Sequence, residues 1–456
     1  MLAEVARARI PFGAAILAAV LSGLLLGYAD QRGLLLVLAL ALTGFALVTL
    51  EYPIVCFGAL ALVLALAPED YEDNRLGLTK LVHDTGAWIF TAPVVLLCLL
   101  TAALLVRPTP GPRWPGLPAT VVTALLGTAV ASALLFAPPV AENLFILRPV
   151  LVLFLATLCG YWIVGVYGVQ LPLRLLVAAA VLALPVGLYH IASGYVLSYY
   201  DASFPFLIGV TGVLVLFRAV DIGFARWPFL ILGALVMVLS LRRAALLSIA
   251  ICILITGIVT RRGGFWLAGL ILGAGIITVE ALMPGAVFSR VEHLASYFTG
   301  ASGQDANVNY RRYETSNAWI NVTRHEVMGI GPSADWTVYR TFDGKFHRIG
   351  PGYLHNSYLW VWLRFTFLGL LLYVSFFLAT GVTLVRRSAP IVSVIVGAAI
   401  LGLAVGLGTA SWLTTTVRWP LIVGLFLGIA LAARRGTDPT EASLGASWDA
   451  AAADPA

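Results

Sequence analysis

Three groups of polar residues in the C-terminal half of the chain have side chains that could do chemistry. Arg242 and Arg243 interrupt a stretch that is otherwise apolar from Trp227 to Thr260. Arg311 and Arg312 begin a polar segment, and His355-Asn356-Ser357 lies directly before the next apolar run. Guanidinium groups bind phosphate oxygens through a two-pronged fork, and an imidazole can accept a proton near neutral pH. Together they suit a site that binds a phosphorylated substrate and moves a proton.

The segment from Arg311 to Arg324 contains few helix breakers, so it predicts a helix. Arg311 then lies on one face with Thr315, Ala318 and Val322. The adjoining strip carries Arg312, Ser316, Trp319 and Thr323. A cation beside an indole suits a phosphorylated sugar, because the guanidinium can grip phosphate while the ring stacks on a pyranose. The alternative is a surface helix whose arginines pair with Glu314 or with lipid headgroups.

The other two groups also have a structural alternative. Charge at membrane depth costs several kcal/mol unless it faces a cavity or a partner, so Arg242 and Arg243 indicate a functional role. They could instead occupy a tight external turn and reach lipid headgroups. His355 could act as a proton acceptor, or it could cap the helix end or anchor it at the interface beside Tyr353 and Tyr358.

The composition predicts the element type that positions these residues. Apolar residues make up 60% of the chain, charged residues only 11%, and the mean hydropathy is +0.95. A soluble domain carries about a quarter charged residues, so the chain is predicted to be an all-α polytopic membrane protein. Most arginines lie at the ends of apolar runs, which indicates membrane topology rather than nucleic-acid binding. The four cysteines lie inside apolar segments without metal-ligand spacing, so neither a disulfide framework nor a zinc site is expected.

Apolar runs of membrane-spanning length predict about 12–14 transmembrane helices. They lie near residues 10–28, 33–50, 53–67, 87–106, 118–136, 144–166, 171–192, 205–220, 227–241, 244–260, 265–283, 353–385, 390–411 and 415–433. With both termini in the cytoplasm, most arginines fall on the cytoplasmic side. The predicted organisation is residues 1–283 as N-terminal transmembrane helices, 284–352 as one large, partly helical periplasmic loop, 353–435 as C-terminal transmembrane helices, and 436–456 as a disordered cytoplasmic tail.

The three groups, taken in order, resemble motifs of the O-antigen ligase and polymerase superfamily. Arg243 in LSLRRAALL matches a serine-arginine motif at the outer end of a mid-chain helix. Arg311 lies eighteen residues before the turn Gly329-Ile330-Gly331, and His355-Asn356-Ser357 with Leu359 matches a His-Asn-Ser-x-Leu helix start. The chain departs from the family pattern in carrying Thr315 for a tryptophan, Arg364 for a glutamate and Thr366 for a glycine, while Gly369 matches the second glycine.

The resemblance implies a GT-C-type glycosyltransferase of the bacterial inner membrane, with its active site on the periplasmic face. The donor would be a glycan on a polyprenyl diphosphate such as undecaprenyl diphosphate, and the acceptor a glycan or a lipid A core. Arg243 and Arg311 would stabilise the departing diphosphate and His355 would deprotonate the acceptor hydroxyl. Direct attack would invert the anomeric centre, without a metal or another cofactor. Further substrate-binding candidates are Arg312, Arg242, Trp319, Asn356 and Arg148.

Two alternatives stay open in the sequence. A polymerase of the same superfamily, acting on O-antigen or exopolysaccharide, would share these motifs with a ligase of lipopolysaccharide biosynthesis. A lipid-linked glycan transporter would use Arg148 and Arg243 to line a polar pathway, with the outer loop as a lid. Transporters often carry paired repeats, and no such pairing is visible in the chain. Lys80 and Lys345 are the only lysines among 28 basic residues, so arginine dominates whichever site exists.

Overall fold

A computed structural model describes residues 43–66, 92–106, 114–136, 140–192, 203–240, 243–261, 264–282, 306–332, 334, 354–408 and 417–436. This part of the chain is built from α-helices and contains no strand. The helices are α1 Thr43–Glu51, α2 Pro53–Leu66, α3 Ala92–Val106, α4 Leu117–Phe136, α5 Val140–Tyr167, α6 Gln170–Ala192, α7 Ser203–Leu216, α8 Arg226–Leu239, α9 Arg243–Thr260, α10 Gly264–Leu282, α11 Ala306–Arg324, α12 Ser357–Leu384, α13 Ile391–Gly406 and α14 Arg418–Arg435.

The helices agree with the apolar runs of the sequence. Each predicted segment from 53–67 onward overlaps one of them, with ends that differ by a few residues, while the segment near 10–28 lies outside the described residues. Within the described part, four helices are long and apolar enough to cross a membrane, and the bent pair α1 and α2 would make a fifth span. Several others are apolar but shorter. The protein is an all-α polytopic membrane protein, and the count of 12–14 spans and the four-part division of the chain stay predictions.

Small residues bring α5 and α14 into backbone contact. A methyl group added at Gly424 would lie 2.6 Å from Cβ of Ala156, and Gly428 faces Thr157 and Tyr161. The paired residue numbers rise together, so the two helices run parallel. Glycine allows such close approach because it has no Cβ. The start of α5 therefore lies at the same end of the bundle as the start of α14.

The pair α9 and α13 packs in the opposite sense. Cys252 donates from Sγ to the carbonyl of Ile395, while Ala244, one residue into α9, lies against Gly406 at the end of α13. Residue numbers rise along α9 while those of the contacting residues fall along α13, so the two helices are antiparallel. The start of α9 and the end of α13 therefore meet at one end of the bundle.

Helix α12 is broken near its first third. Phe365 and Thr366 leave the helical conformation, and Thr366 has φ 71° and ψ 170°. A β-branched residue with this backbone is strained, because the region is almost restricted to glycine. The break falls on the position where the resemblance places a glycine.

Candidate functional site

The start of α12 is joined to the end of α13. The backbone N–H of Ser357 donates to the carbonyl of Leu407 at 3.1 Å, and the Tyr358 hydroxyl donates to the carbonyl of Ala404 at 2.5 Å. One turn away, a methyl group at Gly406 would lie 3.1 Å from the Ala244 carbonyl oxygen. The backbone at Arg243 and the His355-Asn356-Ser357 sequence therefore lie at the same end of the bundle.

Helix α11 presents a polar side to its neighbours. The predicted helix from 311 to 324 is confirmed, and it begins five residues earlier, at Ala306. Its buried side chains recur every three or four residues and are Glu314, Asn317, Ala318, Asn321 and Val322. This spacing marks one face of a helix packed against protein. Three of the five are polar: Asn317 and Asn321 donate to carbonyls of α11 itself, whereas Glu314 contacts the segment that precedes α12.

Glu314 joins α11 to the start of α12. Its carboxylate oxygen Oε2 lies 2.7 Å from Nδ1 of His355 and accepts the His355 backbone N–H at 3.2 Å. The Glu314 side chain is fully buried and that of His355 is 16% exposed. Arg311 precedes Glu314 by three residues, a spacing that makes them neighbours on the helix surface. The contact therefore brings His355 to the part of α11 that carries Arg311.

Asn356 forms the N-terminal cap of α12. Its side-chain oxygen accepts the backbone N–H groups of Tyr358 at 3.1 Å and Leu359 at 3.1 Å. Capping satisfies donors that a helix start leaves without partners. The capping role considered for His355 therefore belongs to Asn356, and the His355 ring contacts Glu314 instead.

The glycine turn after α11 packs into the break of α12. Gly329 and Gly331 have φ 65° and 92°, and a Cβ on Gly329 would overlap the carbonyl oxygens of α12. The backbone N–H groups of Ile330 and Gly331 both donate to the carbonyl of Leu363, at 2.8 and 3.3 Å. Only residues that tolerate positive φ fit this close approach. The predicted turn thus satisfies a carbonyl freed by the helix break.

Arg364 holds the chain beyond the turn. Its buried guanidinium donates to the carbonyl of Gly331 at 3.1 Å and to that of Ala334. The carbonyl of Arg364 in turn accepts the Ser132 hydroxyl of α4 at 2.9 Å. This explains the arginine where the resemblance expects a glutamate, because a carboxylate would face two carbonyl oxygens.

The remaining predicted site residues differ in their exposure and in their position in the fold. Arg312 is exposed on α11, and Trp319 is 51% exposed with its ring edge-on to Trp362 at 6.0 Å. Arg148 is buried in the first half of α5. Arg242 and the side chain of Arg243 lie outside the described residues, so only the backbone of Arg243 is located.

Two charged residues escaped the sequence prediction. The sequence suggested Glu314 as a partner for the arginines, whereas in the structure it contacts His355. Arg418, at the start of α14, is buried, donates to the carbonyl of Leu64, and lies 5.4 Å from the Phe204 ring centre. An arginine at a helix start that the predicted topology puts outside departs from the positive-inside pattern, and this signal could have found it.

Among the described residues, no three or more His, Cys, Asp or Glu side chains come together as metal ligands would. The charged groups brought together at this end of the bundle are Glu314 with His355, and Arg311 on the same helix.

Comparison with known sequences finds one family model that matches part of the chain. Residues 228–374 match the model of the family described as O-Antigen ligase (Wzy_C). The match runs from α8 to the second part of α12 and includes every residue of the motifs quoted above. No curated protein and no solved structure matches the chain.

Proposed function

We propose that this membrane protein, whose residues 228–374 place it in the O-antigen ligase and polymerase superfamily, transfers a glycan from a polyprenyl diphosphate to an acceptor hydroxyl. The observation that supports this most is the meeting of α11 and α12 through Glu314 and His355, next to the end of α13 that packs on the start of α9. Elements far apart in sequence thereby carry Arg243, Arg311 and His355 to one end of the bundle.

The reaction needs one base and stabilisation of one leaving anion. His355 accepts the proton of the acceptor hydroxyl, and the acceptor oxygen forms a bond with the anomeric carbon. The bond between that carbon and the phosphate oxygen breaks, and polyprenyl diphosphate leaves. Such base assistance contributes about 10² to 10⁴ in rate. Attack opposite the leaving group inverts the anomeric centre.

The arginines act on the leaving diphosphate. Arg243 and Arg311 bind its oxygens through their guanidinium forks, and Arg312 is the alternate for Arg311. Fixed positive charge aimed at a developing anion is usually the largest contribution to catalysis. Arg148 is buried in the first half of α5 and is a further candidate for contact with the donor.

The reaction takes place at the periplasmic face of the bacterial inner membrane, with both termini in the cytoplasm. This orientation follows from the distribution of arginines in the sequence. An Asn307→Cys variant should react with a membrane-impermeant thiol reagent added from outside. Labelling only after the membrane is opened would reverse the orientation.

The test of function uses the protein in lipid nanodiscs with lipid-linked glycans extracted from the cells that make it. We expect loss of the donor and release of polyprenyl diphosphate, both measured by mass spectrometry. His355→Ala should slow release about 10²- to 10⁴-fold, the contribution of a general base, while binding of added undecaprenyl diphosphate persists. A fully active His355→Ala variant would remove the base from the mechanism. Movement of the glycan lipid across the membrane without bond cleavage would instead identify a transporter.

The acceptor separates the two enzymatic roles. A ligase requires a different molecule as acceptor, so addition of a lipid A core should yield a glycan-bearing core. A polymerase would lengthen the lipid-linked glycan without added core. We favour the ligase, in keeping with the description of the matched family.

A further inference from the structure

The turn after α11 continues a lipid-facing surface of α12. The second part of α12 exposes large apolar side chains at spacings of three or four residues, which are Leu368, Leu371, Val374, Leu378 and Val382. Such a stripe on a membrane-spanning helix faces lipid. Val327 and Met328 of the turn are 70% and 48% exposed, and the Val327 carbonyl accepts the N–H of Phe367 at 3.0 Å. The apolar stripe therefore extends onto the turn.

Two tryptophans border the same surface. Trp362 donates from Nε1 to the carbonyl of Glu326 at 2.6 Å and lies 5.2 Å from the ring of Phe367. Trp319 stands edge-on against Trp362. Tryptophan collects at the level of lipid headgroups, because its ring is apolar and its N–H is polar. The pair marks the level at which α11 meets the membrane boundary.

The turn also lies deeper than the site. Leu363 and Phe367 are its partners on α12, and they follow the helix start at Ser357. With 1.5 Å of rise per residue, Leu363 lies roughly 9 Å along the helix from Ser357, and Phe367 follows beyond the break. The turn therefore reaches past the level of His355, toward the middle of the bundle.

We propose that residues 327–331 form a re-entrant turn immersed in the outer leaflet, with Val327 and Met328 in contact with phospholipid chains. Backbone at this depth must have its polar groups satisfied by protein, and the bonds between the turn and α12 supply that. The exposed Arg324 can extend to phosphate headgroups. Trp319 then contacts lipid headgroups instead of the sugar ring that the sequence suggested.

The experiment uses nitroxide labels on the full chain in phospholipid nanodiscs. Val327→Cys is labelled in a Cys98→Ser background, since the other three cysteines are buried. Collisions with oxygen should exceed those with a water-soluble nickel chelate at Val327, and the reverse should hold for an Arg312→Cys control. Met328→Cys is the second variant if Val327→Cys does not fold. Greater access of nickel than of oxygen at the turn would overturn the proposal.

A different observation concerns Glu314. An ionised carboxylate only accepts hydrogen bonds, so Nδ1 of His355 donates to Oε2 at 2.7 Å, and in the neutral imidazole Nε2 is then the nitrogen that can accept a proton. The His355 backbone N–H binds the same oxygen, which fixes the ring relative to the chain. We infer that Glu314 is a positioning residue that sets the His355 tautomer and stabilises the imidazolium formed when Nε2 takes the acceptor proton. This inference rests on the proposed function.

The other carboxylate oxygen of Glu314, Oε1, is buried and has no hydrogen-bond partner within the described ranges. A buried carboxylate without full hydrogen bonding is costly unless a positive charge compensates it. The imidazolium that forms during the reaction provides such a charge. The negative charge of the Glu314 carboxylate is therefore better compensated once His355 has taken the proton than while the imidazole is neutral.

A double-mutant cycle tests this role. Glu314→Gln keeps the shape but removes the charge, and we expect glycan transfer to fall at least about 10²-fold, within what a general base contributes. Glu314→Gln/His355→Ala should be no slower than His355→Ala alone. Binding of undecaprenyl diphosphate should not change. Val322→Ala, on the same buried face, is the control for lost packing. Its fold-loss in transfer rate should multiply with the fold-loss caused by His355→Ala.

The outcomes separate the two claims. Multiplying losses for Glu314→Gln and His355→Ala would show that Glu314 acts apart from the histidine and would overturn the inference. Full activity of His355→Ala would overturn the base in the proposed function. Glu314→Asp, which restores the charge at a shorter reach, should recover part of the rate lost in Glu314→Gln, and no recovery would also count against the positioning role.

Discussion

Gly402 of α13 lies directly against Ser248 of α9, so that a methyl group on Gly402 would overlap the Ser248 carbonyl oxygen and stand 2.9 Å from its Cα. Backbone cannot yield as a flexible side chain can, so the two helices would have to separate. The same pair positions the start of α9 beside the start of α12. The contact therefore couples helix packing to the geometry of the site.

Gly402→Ala should destabilise the protein by about 1–3 kcal/mol, the usual cost of overpacking. It should also lower glycan transfer, because the Arg243 end of α9 moves relative to His355. Gly127→Ala is the control, since Gly127 is a helical glycine with open space around it. Thermal unfolding in detergent compares the stability of the two variants, and release of polyprenyl diphosphate compares their transfer. An equal effect of Gly402→Ala and Gly127→Ala would contradict the close packing.

The broken helix gives a prediction of opposite sign. Thr366→Gly should raise the unfolding temperature, because relief of strain of order 1–3 kcal/mol exceeds the loss of a cap, a few tenths of a kcal/mol for glycine. The Thr366 hydroxyl accepts the N–H of Gly369 at 3.4 Å, as a cap of the second half of α12. Thr366→Ala loses that cap without relief and should lower the temperature. Matching shifts in the two variants would argue against strain.

Replacement of Arg311 tests the anion clamp. Arg311→Lys keeps the charge but loses the fork, and we expect a fall in transfer of roughly 10²-fold, as for the loss of one well-placed donor. Arg324→Lys, on the exposed end of the same helix, should leave transfer unchanged. Release of undecaprenyl diphosphate is the measurement. Full activity of both Arg311→Lys and Arg243→Lys would remove the clamp from the mechanism.

Metal dependence can be decided directly. If the arginines carry the diphosphate charge alone, transfer should continue undiminished after dialysis against a chelator. The rate before and after dialysis is the measurement. Loss of activity that magnesium restores would require a cation in the site and would contradict the metal-independent proposal.

Arg364 should hold the turn after α11 in its position against α12. Arg364→Ala leaves the carbonyls of Gly331 and Ala334 without their buried donor, and each unsatisfied group costs about 1–3 kcal/mol. Transfer should fall as the turn shifts. Thermal unfolding and the label at Val327 would both report the change. An unaltered label environment would mean that the bonds between the turn and Leu363 suffice.

The sequence predicted helices well because apolar runs and helices coincide in this chain. It predicted α11 from the lack of breakers after Arg311, and only the earlier start at Ala306 was missed. The contact between Glu314 and His355 could not be predicted, because it depends on which face of a polar helix becomes buried. The break at Thr366 was equally hidden, since it lies in an apolar run and carries a residue that normally avoids positive φ.

The break in α12 divides the helix into two parts with different attachments. The short first part is held by Glu314 of α11, the end of α13 and the glycine turn, while the long second part faces lipid. A chimera with a protein of the matched family that exchanged α12 alone would therefore sever all three attachments. Transplanting the specificity of a relative would require α11, its turn, the first part of α12 and the end of α13 as one cassette.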